Sequence, residues 1–255
     1  MQKGMGTNMK IFGKTDIGMH RSANQDRFLI ANEAAEFTLC AVFDGMGGAA
    51  GGEEASNIAA NAFLENAERM YLEAKGDGEL TGNTYLRILK ASAENANTAI
   101  YDAAKENNSL SGMGTTVVAA LFTEEFVYAL NVGDSRLYTV GDGVIRQVTK
   151  DHSYVQYLID EGRISEADAQ HHPNKNIITR CLGTEQFVEY DTFTLDREKG
   201  FVLLCSDGLT NFVTDEELFA IVSGEGSLEE KAEKLINTAN EKGGMDNITA
   251  VIAEM

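Results

Sequence analysis

Four aspartates of this 255-residue chain lie beside an apolar segment and next to a glycine or an asparagine. They are Asp44 before Gly45, Asp134 after Gly133, Asp207 before Gly208, and Asp246 before Asn247. A carboxylate at the rim of a protein core is costly in free energy, because burial disfavours its charged form. Several such carboxylates at one point would repel one another unless a cation offset their charge. Magnesium and manganese prefer oxygen ligands of this kind, so convergence of the four would make a divalent-metal site.

Taken singly, each of these dipeptides is more often an ordinary turn than part of a site. The segments that must position them are short, apolar and rich in β-forming residues. Strands are predicted over residues 37–43, 115–122, 126–132, 136–140, 201–204 and 248–253. Asp142-Gly143 predicts a tight hairpin between residues 137–140 and 144–145.

Apolar residues recur at helical spacing in two stretches between these strands. The first stripe is Ala55, Ile58, Ala59, Ala62 and Phe63, and the second is Leu86, Leu89, Ala93, Ala96 and Ile100. Thr214 with Glu217, and Ser227 with Glu230, match the capping-box pattern and predict two later helix starts. This order of elements favours antiparallel sheets with helices packed outside. We expect one domain over residues 10–255, after a flexible or vector-derived leader at residues 1–9.

The composition excludes several classes of function. The net charge is −19, which disfavours nucleic acid and anionic lipid as main partners. No apolar run approaches the roughly 18–20 residues needed to span a bilayer. Cys40, Cys181 and Cys205 are too few for a disulfide framework, which fits a reducing cytoplasm. None of the three is followed six positions later by arginine, so the loop of cysteine-based phosphatases is absent.

Taken together, these motifs resemble the protein phosphatase 2C family, also called the PPM family, in its bacterial form. The matching segments are Asp16-x-Gly18-x-x-Arg21-x-x-Asn24-Gln25-Asp26 and residues 42–48, 111–116, 131–138, 149–153, 178–183, 206–210 and 246–249. They occur in the family's order and span nearly the whole chain. The resemblance implies an α+β fold, a four-layer α-β-β-α sandwich of two antiparallel sheets flanked by helices. It also implies a metal-dependent protein serine/threonine phosphatase that uses water activated by two manganese or magnesium ions.

The resemblance also assigns metal ligands. Asp44 would bridge the two metals, and Gly45 would give its backbone carbonyl to one of them. Asp207 and Asp246 would hold the other. Asp134, with Asp207, matches the position of a third, weaker metal in bacterial relatives.

Two further residues receive roles in the same way. Arg21 would bind the substrate phosphate, since its planar fork of donors suits that anion. Asp26 would lie close to the metals and orient the attacking water. No phosphoenzyme is then needed, so no nucleophilic side chain has to be found.

The chain departs from the family at two positions. Met46 stands where many eukaryotic relatives have a histidine that is proposed to protonate the leaving group, and methionine cannot do so. Gln25 stands where relatives often carry glutamate, and its lost charge is expected to weaken the metal site. His152 is interpreted as structural rather than as the missing acid. His171-His172 is interpreted as part of a solvated loop rather than a zinc site.

Three alternatives fit parts of the sequence. One is a catalytically weakened relative that acts as a binding or signalling domain. Such a protein would be free to lose the metal aspartates and Arg21, and the presence of all of them argues against it. A nuclease would need a basic run to hold the nucleic-acid backbone, and none is available. A calcium-binding structural protein would need an alternating-acid loop that ends in glutamate, which the sequence lacks.

The partners follow from the family. We expect phosphorylated proteins as substrates, and a cognate serine/threonine kinase that shares them. Nucleic acid and membrane are not expected as partners. The protein is expected to be a cytoplasmic monomer.

Overall fold

A computed structural model of the chain describes residues 9–33, 37–169 and 171–255. Its strands are β1 (Ile11–Asp16), β2 (Asp26–Glu33), β3 (Phe37–Met46), β4 (Gly114–Thr115), β5 (Val117–Phe122), β6 (Phe126–Val132), β7 (Arg136–Gly141), β8 (Val144–Gln147), β9 (Asp191–Asp196), β10 (Phe201–Cys205) and β11 (Ile248–Glu254). Its α-helices are α1 (Gly48–Gly76), α2 (Gly82–Glu106), α3 (Tyr154–Asp160), α4 (Glu166–Ala169), α5 (Asp207–Thr210), α6 (Asp215–Val222) and α7 (Leu228–Glu241).

The strands form two antiparallel sheets. Sheet A has five strands in the order β1-β11-β10-β7-β8. Sheet B has the order β2-β3-β5-β6-β9, with the short β4 paired to the end of β3. The first and last strands of the chain are neighbours, since Asp16 of β1 lies opposite Ile248 of β11. This pairing brings two segments that are far apart in the sequence together at one edge of sheet A.

The core lies in three apolar layers. The middle layer fills the space between the sheets, while α1 and α2 cover sheet B and the helices α5 to α7 cover sheet A. Side chains along β3 alternate between two layers, because successive residues of a strand point to opposite faces. Leu39 and Ala41 pack toward α1 and α2, whereas Cys40 and Val42 pack toward sheet A. The predicted four-layer sandwich is therefore confirmed.

Most predicted elements are present, and both capping boxes form at the starts of α6 and α7. The predicted hairpin joins β7 to β8, with Asp142 and Gly143 both at positive φ. Three predicted strands end one residue early, and two others differ more from the structure. The strand predicted over 37–43 continues to Met46, because Gly45 and Met46 pair with β4. The segment predicted as one strand over 115–122 is split, with Thr116 between β4 and β5.

Three strands were not predicted. Every residue of β1 is half-buried. In β9 the first three residues are half-buried, and the alternation of half-buried and exposed residues begins only after them. Neither strand therefore presents a continuous apolar run. The third, β2, begins with two charged residues. Residues 1–8 of the predicted leader lie outside the described residues, whereas Met9 is buried in the layer between the sheets. Within the described residues, no helix is long and apolar enough to cross a membrane.

Candidate active site

The five predicted carboxylates come from five different strand ends. Asp26 is the first residue of β2 and lies opposite Asp44 of β3 in the strand register. Asp134 lies in the turn between β6 and β7. Asp207 begins α5 directly after β10, and Asp246 precedes β11, the neighbour of β10 in sheet A. The fold therefore gathers at one end of the sandwich the residues that the sequence keeps far apart.

Asp26 is the most deeply buried of the five, with no exposed surface. The hydroxyls of Ser206 and Thr249 each donate a hydrogen bond of 2.7 Å to its Oδ2. Its Oδ1 is buried and has no hydrogen-bond partner. Burial is the main cause that raises the pKa of Asp26 to about 7, and repulsion from Asp207 and Asp246 adds to the rise. The hydrogen bonds from the two hydroxyls lower this pKa but do not offset the effect of burial. Ser206 and Thr249 were not assigned roles from the sequence.

Asp44 is fixed through its backbone. Its N–H donates to Thr116 Oγ1 at 3.0 Å, and its carbonyl accepts from the Thr115 hydroxyl at 2.9 Å. Burial raises the pKa of the Asp44 carboxyl well above its usual range, and repulsion from Asp26 and then Asp207 raises it further. These two threonines hold the carboxylate at the junction of β3, β4 and β5.

Asp207 and Asp134 share the same environment. Asn211 donates to Asp207 Oδ2 at 2.9 Å, and the pKa of Asp207 is raised by burial and by Asp246. Asp134 is only 7% exposed, and its Oδ1 has no hydrogen-bond partner. Burial, followed by repulsion from Asp207 and Asp151, raises the pKa of Asp134 well above its usual range. Mutual repulsion therefore links both residues to the other carboxylates.

Gly45 lies where the main chain of β3 meets α1. A Cβ at this position would lie 2.0 Å from the carbonyl oxygen of Gly52 and 2.7 Å from that of Gln25. The Gly45 N–H donates to the Gln25 carbonyl at 3.2 Å. The Gln25 side chain in turn donates to the Gly48 carbonyl at 2.7 Å, so it braces the glycine-rich turn before α1. Only glycine fits between these two backbones.

Arg21 lies on the loop between β1 and β2. Its Nη2 donates to Asp246 Oδ2 at 2.7 Å, and the side chains of Arg21 and Asp246 are 47% and 33% exposed. Asn247 anchors this loop, because its Nδ2 donates to the carbonyls of Ile17 at 2.9 Å and Ala23 at 3.0 Å. The guanidinium therefore reaches the carboxylate cluster from a loop that is tied to the start of β11. Asn247 is a positioning residue, a role that the sequence analysis did not assign to it.

His152 holds the turn that carries Asp134 and is itself held by Asp191. Its Nδ1 accepts a hydrogen bond of 3.0 Å from the N–H of Gly133, next to Asp134. With Nδ1 occupied as an acceptor, Nε2 carries the proton and donates to Asp191 Oδ2 at 3.1 Å. Burial lowers the pKa of His152, which keeps the ring neutral. These bonds agree with the structural interpretation of His152.

The donor set fits a hard divalent cation. Within the described ranges, no three His, Cys, Asp or Glu side chains form a ready-made group around one point, and Asp246 is turned toward Arg21 instead. The side chains predicted as metal ligands are nevertheless all carboxylates, and one of them, Asp134, keeps a buried oxygen without a partner, as does the neighbouring Asp26. A bound cation would satisfy the Asp134 oxygen, a water held beside the cations would satisfy the Asp26 oxygen, and the positive charge would relieve the repulsion that raises the carboxyl pKa values.

Comparison with known proteins places the chain in a family. The sequence matches the family "Protein phosphatase 2C" over residues 19–252. It is 39% identical over 242 residues to the serine/threonine phosphatase stp of Listeria monocytogenes serovar 1/2a, and 94% of each chain is covered. The structure of the serine/threonine phosphatase Stp1 from Staphylococcus aureus matches with a TM-score of 0.88 and 33% identity, over 100% of this chain and 98% of that one.

A second solved structure is the catalytic domain of the phosphatase PstP in complex with two manganese ions. It matches with a TM-score of 0.82 and 34% identity, over 96% of this chain and 97% of that one. The chain belongs to the protein phosphatase 2C family, and the family predicted from the motifs is confirmed.

The raised carboxyl pKa values predict how stability depends on pH when metal is absent. Between pH 3.8 and about 7, native Asp26 keeps its proton while the unfolded chain loses it. The unfolded state then binds fewer protons, so the free energy of unfolding falls as pH rises through this window. Urea unfolding in chelator should show greater stability at pH 5 than at pH 8, and the reverse order would contradict the assigned burial.

Proposed function

We propose that this chain is a metal-dependent protein serine/threonine phosphatase that hydrolyses phosphoserine and phosphothreonine with water activated by two divalent cations. The observation that carries the proposal is the cluster of buried and half-buried carboxylates at one end of a protein phosphatase 2C fold. Two of its oxygens, on Asp26 and Asp134, are buried without partners. The two manganese ions in the PstP catalytic domain support the same chemistry here.

The ligand roles follow the predicted assignment. Asp44 would hold both ions, the Gly45 carbonyl would serve one, and Asp207 with Asp246 would serve the other. When bound, the two ions supply a water whose pKa is lowered toward about 7, and they stabilise negative charge on the phosphate. Manganese and magnesium both suit carboxylate and carbonyl oxygens. Asp134 completes a third, weaker site together with Asp207.

The remaining groups of the chain perform the positioning. Arg21 binds the phosphate oxygens, and its contact with Asp246 supports this role because it brings the guanidinium to the cluster. Asp26 accepts a hydrogen bond from the attacking water through its unpartnered Oδ1, while Ser206 and Thr249 hold its other oxygen. Cys40 and Cys205 are buried and take no part.

Replacing Arg21 by alanine should raise KM for a phosphopeptide by about tenfold or more, since charge-assisted hydrogen bonds of this kind contribute about 1.5–3 kcal/mol. Manganese affinity should not fall, because Arg21 no longer competes for Asp246. Steady-state kinetics and calorimetry measure the two effects. Arg21→Lys is the matched control, which keeps the charge without the planar fork and should recover part of the loss. Loss of bound manganese in a folded Arg21→Ala protein would contradict the phosphate role.

The central test is hydrolysis of a small aryl phosphate and of phosphoserine and phosphothreonine peptides. Rates are compared with manganese, with magnesium and with excess chelator. We expect activity with either metal and none after exhaustive chelation, followed by recovery when manganese is restored. Full activity in chelator would overturn the proposal, as would metal-dependent activity on the aryl phosphate with none on any phosphopeptide.

The physiological substrates are phosphorylated proteins, which a cognate serine/threonine kinase modifies. The protein acts in the cytoplasm as a monomer, and the three free cysteines support a reducing compartment. Sedimentation and phosphoproteomics of cells with and without the active enzyme would test these assignments.

A further inference from the structure

A cleft of about 830 Å³ opens from the carboxylate cluster toward solvent. Its walls come from residues 147–176 on one side and residues 207–216 on the other. Asp134 and Asp207 form its inner end, where Asp134 is 7% exposed and its Oδ1 has no partner. This volume lies within the range of about 300–1,000 Å³ that is typical of ligand sites. The cleft is therefore large enough to receive groups beyond the phosphate itself.

The lining of this cleft includes three exposed acids, Glu166 on α4 and Asp215 with Glu216 at the start of α6, which together form the acidic rim. None of the three forms an ion pair within the part of the chain that the structure describes. The capping box of α6 uses Thr214 and Glu217, and the Glu216 carboxylate also interacts with the Thr214 side chain in the first turn. All three rim carboxylates are exposed, so a ligand in the cleft can reach them.

The cleft offers little positive charge to balance the rim. Arg136 and Lys175 are the two lysine or arginine side chains among the described residues that line it. The Arg136 guanidinium is already held by both oxygens of Asp151, at 2.8 and 2.7 Å. Lys175 alone therefore opposes the three rim acids. The path from solvent to the carboxylate cluster thus has a net negative charge.

We propose that this cleft binds the peptide segment beside the phosphorylated residue, and that the acidic rim selects substrates with an arginine or lysine in that segment. The inference rests on the proposed phosphatase function and names the substrate class of the same site. An extended peptide advances about 3.3 Å per residue, so a residue close to the phosphothreonine can reach the rim while the phosphate lies at the inner end. A basic side chain would pair with the rim, whereas an acidic neighbour or a second phosphate would be repelled.

This selection should act on the capture of substrate. None of the rim acids is a proposed metal ligand or phosphate contact, so their charges contribute to binding and encounter rather than to the chemical step. The preference should appear in kcat/KM, with little change in kcat. It should also weaken as salt rises, because the rim acids are exposed and the Debye length falls from about 10 Å at 0.1 M to 3 Å at 1 M.

The experiment uses phosphothreonine peptides of one sequence, in which arginine, alanine or glutamate is placed in turn at each flanking position. With wild-type protein and manganese at low salt, at least one position should give kcat/KM about tenfold higher for arginine than for glutamate. The ratio should approach one in 1 M salt. Equal kcat/KM for the three peptides at every position would overturn the inference.

The triple variant Glu166→Gln, Asp215→Asn, Glu216→Gln removes the rim charges. Its arginine-to-glutamate ratio should fall toward one, and this ratio does not depend on the fraction of active protein. The matched control is Glu65→Gln, Glu68→Gln, Asp77→Asn, which neutralises three exposed acids on and after α1 and should keep the wild-type ratio. A preference that survives in the rim variant, or that is lost in the control, contradicts the assignment.

The aryl phosphate separates this inference from the function on which it rests. Manganese-dependent hydrolysis of the aryl phosphate by wild-type protein, without any peptide preference, removes the acidic rim as a selector and leaves the phosphatase function intact. No hydrolysis of either substrate class overturns both.

Discussion

Replacing Asp44 by asparagine is expected to lower phosphatase turnover by at least about a hundredfold, the scale seen when support for a metal site is lost. Asparagine keeps nearly the same shape but removes the charge that both ions share in the proposed assignment. No neighbour can substitute, because the residues that follow in β3 and the turn include Gly45, Gly47 and Gly48. Both ions should bind more weakly, and the water between them should be less acidic.

The same change should stabilise the protein in the absence of metal. Asp44 is repelled by Asp26 and Asp207, and a neutral side chain removes that repulsion. Thermal melting in chelator and initial rates across a manganese titration measure the two effects. Asp77→Asn, at an exposed position after α1, is the matched control and should change neither. Wild-type turnover of the Asp44→Asn protein at ordinary manganese would mean that Asp44 does not bridge the metals.

Replacing Gly45 by alanine should have a second large effect, on folding as well as on activity. The added methyl would lie 2.0 Å from the Gly52 carbonyl oxygen, so either β3 or the first turns of α1 must move. Overpacking typically costs about 1–3 kcal/mol, and we expect a value at the upper end because both obstacles are backbone. Activity should fall further than stability alone explains, since the displaced carbonyl is the proposed metal ligand.

Gly76→Ala is the control for this substitution. Gly76 ends α1 with open space around the position of a new Cβ, so alanine should leave activity unchanged and raise stability by up to about 1 kcal/mol. Urea unfolding and manganese-dependent rates of both variants test the comparison. A Gly45→Ala protein as stable and active as wild type would contradict the close packing of β3 against α1.

The sequence predicted the strands whose residues are buried on both faces. Residues of β5 and β10 lie between a helical layer and the opposite sheet, so they form apolar runs that are easily recognised. The strand β1 escaped prediction because all its residues are half-buried. The local sequence pattern indicates how the residues of one segment are buried. An edge strand whose two faces are both half-buried shows little contrast between apolar and polar positions, so its pattern is weak.

The site was predicted in part, for a related reason. Strand-end aspartates can be identified by their neighbours in sequence, and Asp44, Asp134, Asp207 and Asp246 were found in this way. Asp26 was assigned only through the family resemblance, since it opens a strand that the pattern did not predict. Its hydroxyl partners are 180 and 223 residues further along the chain, a separation at which spacing carries no information.

The pairing of β1 with β11 has a consequence for when the enzyme can first act. Asp26, Arg21 and the loop that carries them are completed by Thr249, Asp246 and the Asn247 anchor, all near the opposite end of the chain. Ribosomes add about 5–20 residues per second, so the early segments wait many seconds for these partners. A nascent chain that lacks residues 246–254 has no anchor for the loop proposed to bind phosphate, and its carboxylate cluster is incomplete. We therefore expect dephosphorylation to begin only after these residues have been translated, and chains that stop before them to be inactive.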